Sequence, residues 1–184
     1  MGWKDRWKDL LKNPVVVVPY DDQWPRHFEN ERIRLQPLLS GINLKIEHVG
    51  STAVPGLGAK PIIDIMLGVD HLSQIEKRIP AFEKIGYLYV PEIEAMMPED
   101  RFFFRQDTVE TRVYQLHGVE LSSNFWRDHL LFRDYLRTHP EVAEQYLQQK
   151  CKSAEQFRDD RAAYTKSKSE FIAAVLAEAH KTLK

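Results

Sequence analysis

Residues 48–65 read His48-Val49-Gly50-Ser51-Thr52-Ala53-Val54-Pro55-Gly56-Leu57-Gly58-Ala59-Lys60-Pro61-Ile62-Ile63-Asp64-Ile65. Their pattern predicts a strand over Leu44–Val49, a Gly/Pro-punctuated loop from Gly50 to Lys60, and a second, almost wholly apolar strand over Pro61–Val69. Gly50, at the end of the first strand, lets another group approach the backbone closely. Ser51 and Thr52 add hydroxyls and main-chain N–H donors, a candidate phosphate cradle, and Lys60 supplies a cation at the loop's far end. Alternation places Ile62, Asp64 and Met66 on one face of the second strand. A carboxylate there is costly unless a metal, a cation or hydrogen-bond donors surround it. The structural alternative makes Gly50-Ser51 a plain turn and Asp64 a buried acid held by backbone donors.

On the N-terminal side, Trp3–Leu11 has the spacing of a short amphipathic helix. The β-branched run Val15–Val18, closed by Pro19, predicts a strand. Asp21 or Asp22 then caps a helix with Pro25 in its first turn, whose stripe of Trp24, Phe28, Leu35, Leu38 and Leu39 runs to Gly41. On the C-terminal side, Ser73 opens a helix ending near Gly86. Tyr87–Val90, Arg101–Gln106 and Thr111–Val119 read as strands, with a polar connection over Glu92–Asp100. From about Leu121 the pattern turns helical. One helix spans Phe125–Arg137, one opens at Pro140, and the last opens at Asp159 or Asp160 and carries Tyr164, Phe171, Val175 and Ala179. We therefore expect an α+β fold: a small mixed sheet with helices over residues 1–120, and a helical part over 121–184 packed on that core without a flexible linker.

Composition narrows the function. The 184 residues are 43% hydrophobic and 29% charged, with a formal net charge of -1. That excludes a bulk polyanion binder but leaves room for a local basic pocket. No nucleic-acid reading motif stands out among the dispersed basic residues, and no segment specifies an oligomeric state. No run approaches a membrane span, and the charged, aromatic N-terminus lacks a signal-peptide core. Cys151 is the single cysteine, which excludes an internal disulfide and points to a reducing, cytoplasmic setting.

Several separated motifs, in order, resemble the GrpB family. They are the run His48–Ile65, the opening Val18-Pro19-Tyr20-Asp21-x-x-Trp24-Pro25, the segment Phe132–Arg137, and Tyr164-x-x-x-Lys168-x-x-Phe171. The resemblance covers roughly residues 15 to 180. It implies a nucleotidyltransferase-like fold, because the family is grouped with that superfamily, whose pattern is Gly-Ser after a strand and Asp-x-Asp or Asp-x-Glu on the next. The twelve residues between Ser51 and Asp64 suit that pattern. Met66 does not, because it stands where a second carboxylate would bridge two divalent ions, and a thioether is too soft for magnesium. Of the His-x-His-like pattern the resemblance implies on a later strand, Tyr114-Gln115-Leu116-His117 keeps His117.

These residues define the expected site. Asp64 and His117 are the candidate catalytic pair. With His48 they form a candidate triad for a divalent metal (magnesium, manganese or zinc) if all three strands point them into one cleft. Gly50, Ser51, Thr52 and Lys60 are the candidate ligand-binding residues of the loop. Arg101 and Arg105, on one strand face with Phe103, are candidate phosphate clamps. Lys168 either snorkels from an apolar helix face or enters the site. The expected partner is a small phosphorylated or nucleotide-like ligand. The expected function is its handling, as metal-dependent nucleotidyl transfer or as binding by a catalytically inactive regulatory module of nucleotide or coenzyme A metabolism. A metal-dependent hydrolase built on His48, Asp64 and His117 is a further option.

Overall fold

The computed structural model describes residues 13–107 and 113–182. The helix expected over Trp3–Leu11 and the start of the strand at Thr111 lie outside them. The chain forms helix α1 (Trp24–Leu35), strands β1 (Leu44–Val49) and β2 (Ile62–Val69), and short helices α2 (Ser73–Glu76) and α3 (Ile79–Lys84). Strands β3 (Leu88–Tyr89), β4 (Arg101–Gln106) and β5 (Val113–Glu120) follow. Helices α4 (Asn124–Thr138), α5 (Pro140–Gln156), α6 (Arg161–Lys166) and α7 (Ser169–Thr182) complete the chain.

The five strands form one mixed sheet in the order β1-β2-β5-β4-β3. Only the β2–β5 pair is parallel. The register fixes two chemically different faces. Ile63, Ile65 and Leu67 of β2, with Tyr114 and Leu116 of β5, pack against Trp24, Leu35, Leu39 and Phe82 in the main core. On the opposite face Met66 packs with Val49, Val119 and Trp126 of α4. The C-terminal helices cover that second face. Val54 and Leu57 of the 50–60 loop join Leu136 and Tyr146 in a further apolar cluster, which ties the loop to α4 and α5.

Several boundaries differ from the sequence pattern, each for a local reason. Val15–Val18 is not a strand: Val18 makes one bridge to Ala59, while the Val15 N–H donates to Arg158 O at 2.7 Å. The helix expected over 73–86 breaks in two because Pro80 has no N–H to return to Glu76, and it enters the first turn of α3 instead. Likewise the last helix is two. Asp160 caps α6 by accepting from Ala163 N–H at 2.9 Å. Ser167 then donates its hydroxyl to Tyr164 O at 2.8 Å, competing with the helical ladder, and the chain restarts at Ser169. Lys168 sits in that break. No helix of the described residues is long and apolar enough to cross a membrane.

Candidate functional site

β1 ends at Val49, which pairs with Asp64 on β2, so the bend at Gly50 lies beside the carboxylate. Gly50 has φ 71°, and a Cβ built on it would sit 2.4 Å from Asp64 Oδ2. Glycine is therefore required twice, by the left-handed backbone and by the acid packed against it. A 3-10 turn (Ser51–Ala53) follows directly. Together Gly50, Ser51, Thr52, Lys60 and Asp64 line a cavity of about 310 Å³ between the sheet and the C-terminal helices. The helices contribute Asp128, His129, Tyr146, Lys150, Tyr164 and Lys168 to its wall.

The electrostatics of this cavity are one-sided. Asp64 is half-buried and accepts no hydrogen bond from the described residues; its partners are charges. Burial raises its pKa, and His117, Lys60, Lys168 and Arg161 oppose that rise. Lys60 and Lys168 approach the same Tyr164 ring, at 5.0 and 4.4 Å from its centroid. Burial, with Arg161 and Lys168 nearby, pushes Lys60 down to about 7. Burial and Lys168 do the same to Lys150, also to about 7. Lys150 donates to Gly58 O and lies 4.9 Å from the Tyr146 ring. Lys60, Lys168 and Arg161 thus act on one half-buried acid, and Lys168 lowers the pKa of both Lys60 and Lys150.

The remaining expected residues lie elsewhere. His48 pairs across the sheet with Ile65, and so projects to the opposite face from Asp64. It stacks on Phe28 of α1 with ring centroids 4.8 Å apart. The Thr52 hydroxyl donates to Ile62 O, so the His48 Nε2–H donates to Thr52 Oγ1, at 3.0 Å. Burial, with Arg137 and Arg133 nearby, holds His48 neutral, its pKa down to about 3. Thr52 touches the cavity, but its hydroxyl is committed to that pair. The metal triad therefore does not assemble: two members share a face and the third is behind the sheet. No group of three His, Cys, Asp or Glu side chains among the described residues is placed to hold a metal ion.

His117 does share the Asp64 face, paired with Met66 in register. Its Nδ1 lies 2.7 Å from Oδ2 of the fully buried Asp100. Burial works against its proton, yet the charge and hydrogen bond of Asp100, with Asp64 behind them, raise its pKa overall. Arg101 and Arg105 do not reach the cavity. They pair in register with Gly118 and Tyr114, on the main-core face. Arg101 donates to Glu76 Oε1 at 2.8 and 3.0 Å. Arg105 donates to the buried Glu31 at 2.9 Å, and Tyr87 donates to the same carboxylate. Both arginines are structural ion-pair partners, not phosphate clamps.

Sequence reasoning missed Asp100, which the polar stretch 92–100 hid. It also missed Asp128, His129 and Lys150. Phe125, His129 and Phe132 share a helical spacing, as do Tyr146 and Lys150, so the signal was present but not singled out.

The fold and its cavity define an α+β protein whose sheet presents a lone acid and a lysine-rich hollow to its C-terminal helices. A family model described as GrpB protein matches residues 14–178, and the chain belongs to the GrpB family. It is 33% identical over 168 residues to the glutamate-rich protein GrpB of Alkalihalophilus pseudofirmus, covering 91% of this chain and 97% of that protein. The crystal structure of conserved protein GrpB from Enterococcus faecalis superposes with a TM-score of 0.79 at 33% identity, over 91% of this chain and 99% of that one. A dephospho-CoA kinase of Mycolicibacterium paratuberculosis is 28% identical over 176 residues, which cover 83% of this chain but 42% of the kinase.

Proposed function

We propose that the cavity binds a small phosphorylated, nucleotide-like ligand in the cytoplasm. One observation carries this reading: Lys60 and Lys168 share the Tyr164 ring inside a hollow whose central anion is Asp64. Amines whose pKa is lowered by burial and by neighbouring cations gain most from a multiply charged anion, which favours their charged forms and replaces lost solvent. Gly50 and Ser51 supply the bend against which such an anion would rest. The likeness to part of a dephospho-CoA kinase adds dephospho-coenzyme A to the ligands to be tried first.

Catalysis is the second reading, favoured by Asp64 standing beside the Gly50–Ser51 bend as the nucleotidyltransferase pattern requires. No three His, Cys, Asp or Glu side chains among the described residues are grouped as a metal-binding set would be. Met66 is walled in by Val49, Val119 and Trp126, and His48 is behind the sheet. Binding without transfer is therefore the better supported form. A thermal-shift series with pyrophosphate, nucleotides and dephospho-coenzyme A tests it. At least one anion should raise the melting temperature of the native chain, and Lys60→Met/Lys168→Met should lose that rise while remaining folded. An unchanged melting temperature with every anion overturns the reading. Pyrophosphate release from a nucleoside triphosphate, with magnesium or manganese added and lost in Asp64→Asn, would instead establish transfer.

A further inference from the structure

The lysines occupy only part of the cavity wall. Its rim on α4 is formed by Asp128 and His129, two adjacent residues that both line the hollow. The His129 Nδ1 lies 2.8 Å from the Phe125 carbonyl oxygen one turn back. A carbonyl can only accept, so Nδ1 carries the proton in the neutral ring and Nε2 carries the lone pair. Stacking on Phe125, at 4.1 Å between centroids, holds the ring in that orientation. Asp128 uses Oδ1 to receive the His180 Nε2–H at 3.1 Å, and Oδ2 has no hydrogen-bond partner among the described residues. The α4 part of the lining therefore carries acceptors, whereas Lys60 and Lys168 carry donors.

Two walls of opposite hydrogen-bonding character need a ligand with two ends. We propose that the site is specific for a phosphate ester bearing hydroxyl or amine groups, with its phosphate at Lys60 and Lys168 and its donors read by His129 Nε2 and Asp128. This rests on the phosphate-binding reading above and goes beyond it. It ranks esters bearing hydroxyl or amine groups above esters without them, because the latter leave the acceptors of Asp128 and His129 unpaired. It also assigns a ligand-contacting role to two residues outside the strands and the 50–60 loop.

Calorimetric titration of the full chain with three probes separates the two claims. Pyrophosphate reports the lysine wall alone, methyl phosphate is an ester without donors, and ribose 5-phosphate is an ester with them. The native protein should bind ribose 5-phosphate about tenfold more tightly than methyl phosphate, the worth of one or two well-placed hydrogen bonds. His129→Phe keeps the stacking on Phe125 but removes the lone pair, and Asp128→Asn converts one acceptor to a donor. Each should lower the ratio of ribose 5-phosphate to methyl phosphate affinity, both read in the same variant. Equal affinity of the native protein for the two esters, with pyrophosphate still bound, overturns this inference and spares the phosphate reading. Failure of pyrophosphate and both esters to bind overturns both. Nitrogen-15 spectra of the imidazoles give a ligand-free check: a His129 protonated at Nε2 rather than Nδ1 also overturns the inference.

Discussion

The two faces of the sheet solve opposite problems with the same strands. Strand β2 alternates between them: Ile63, Ile65 and Leu67 face α1, and Ile62, Asp64 and Met66 face the C-terminal helices. On the α1 face the fully buried acid meets its counterparts. Glu31, 2% exposed, receives Arg34, Arg105 and the Tyr87 hydroxyl. On the helical face Lys60, Lys168 and Arg161 act on Asp64, and Lys168 lowers the pKa of both Lys60 and Lys150. Burying several like charges together runs against stability, which is a common signature of a site. One face pairs its buried acid within the fold; the other gathers the cations on which the proposed site rests.

Substitutions that break the α1 face should have the largest effects. Glu31→Ala strands Arg105 and leaves the Tyr87 hydroxyl unpaired in the core, so urea unfolding should show a loss of about 3–5 kcal/mol. Leu67→Ala, at a fully buried position, should cost about 3 kcal/mol by the same measurement. Neither residue touches the cavity, so the surviving folded protein should bind pyrophosphate with native affinity. A loss of less than about 1 kcal/mol in Glu31→Ala would mean that the network is not closed as described.

Gly50→Ala lies at the junction of the two faces and is next in size. It combines positive φ with a methyl carbon inside contact distance of Asp64 Oδ2, a cost of about 1–3 kcal/mol. Asp64→Ala removes the clash but not the backbone strain. The double variant should therefore lose less than the sum of the two single losses, and strict additivity would mean that the contact is not a real constraint.

The division between faces was only half legible in the sequence. Alternation grouped Ile62, Asp64 and Met66 on one face of their strand. It could not relate one strand's phase to the next, because that depends on pairing register. His48 opposite Ile65, rather than opposite Asp64, dissolves the metal triad. Arg105 opposite Tyr114, not Gln115, sends the arginines to the core face for the same reason. Contacts close in sequence fared better: the strand–Gly50–strand unit and the helical C-terminal half have local signals. Lys168 was placed by its motif, but Lys150 and His129 sit on helix faces that are apolar in pattern and become a cavity wall only when two helices and a sheet meet.

Substitutions on the helical face should be mild for stability and severe for binding. Lys60→Met replaces an amine that burial disfavours with an apolar chain of similar length, so stability should be unchanged or rise by about 1 kcal/mol or less. Pyrophosphate binding should fall sharply, and calorimetry on the same sample reports it. A marked loss of stability would show that Lys60 is a structural cation, and the contrast between faces would fail.

The smallest effect is on pH dependence, and its sign follows from the same lysines. Lys60 and Lys150 hold their protons less tightly in the folded chain, at about 7, than in the unfolded one, at 10.5. The unfolded state thus binds more protons between these values, and these groups make stability rise with pH across that window. An anion in the cavity reverses the preference by favouring the charged amines. Binding should therefore take up protons near neutrality and tighten as pH falls from about 8.5 to about 6.5. Calorimetry of pyrophosphate binding in two buffers of different ionisation enthalpy measures that uptake directly. His48, buried neutral on the α1 face with its pKa at about 3, should contribute nothing to it, so His48→Gln should leave the proton count unchanged while Lys60→Met lowers it. A proton count that follows His48 instead would place the titrating group behind the sheet and undo the assignment of the two faces.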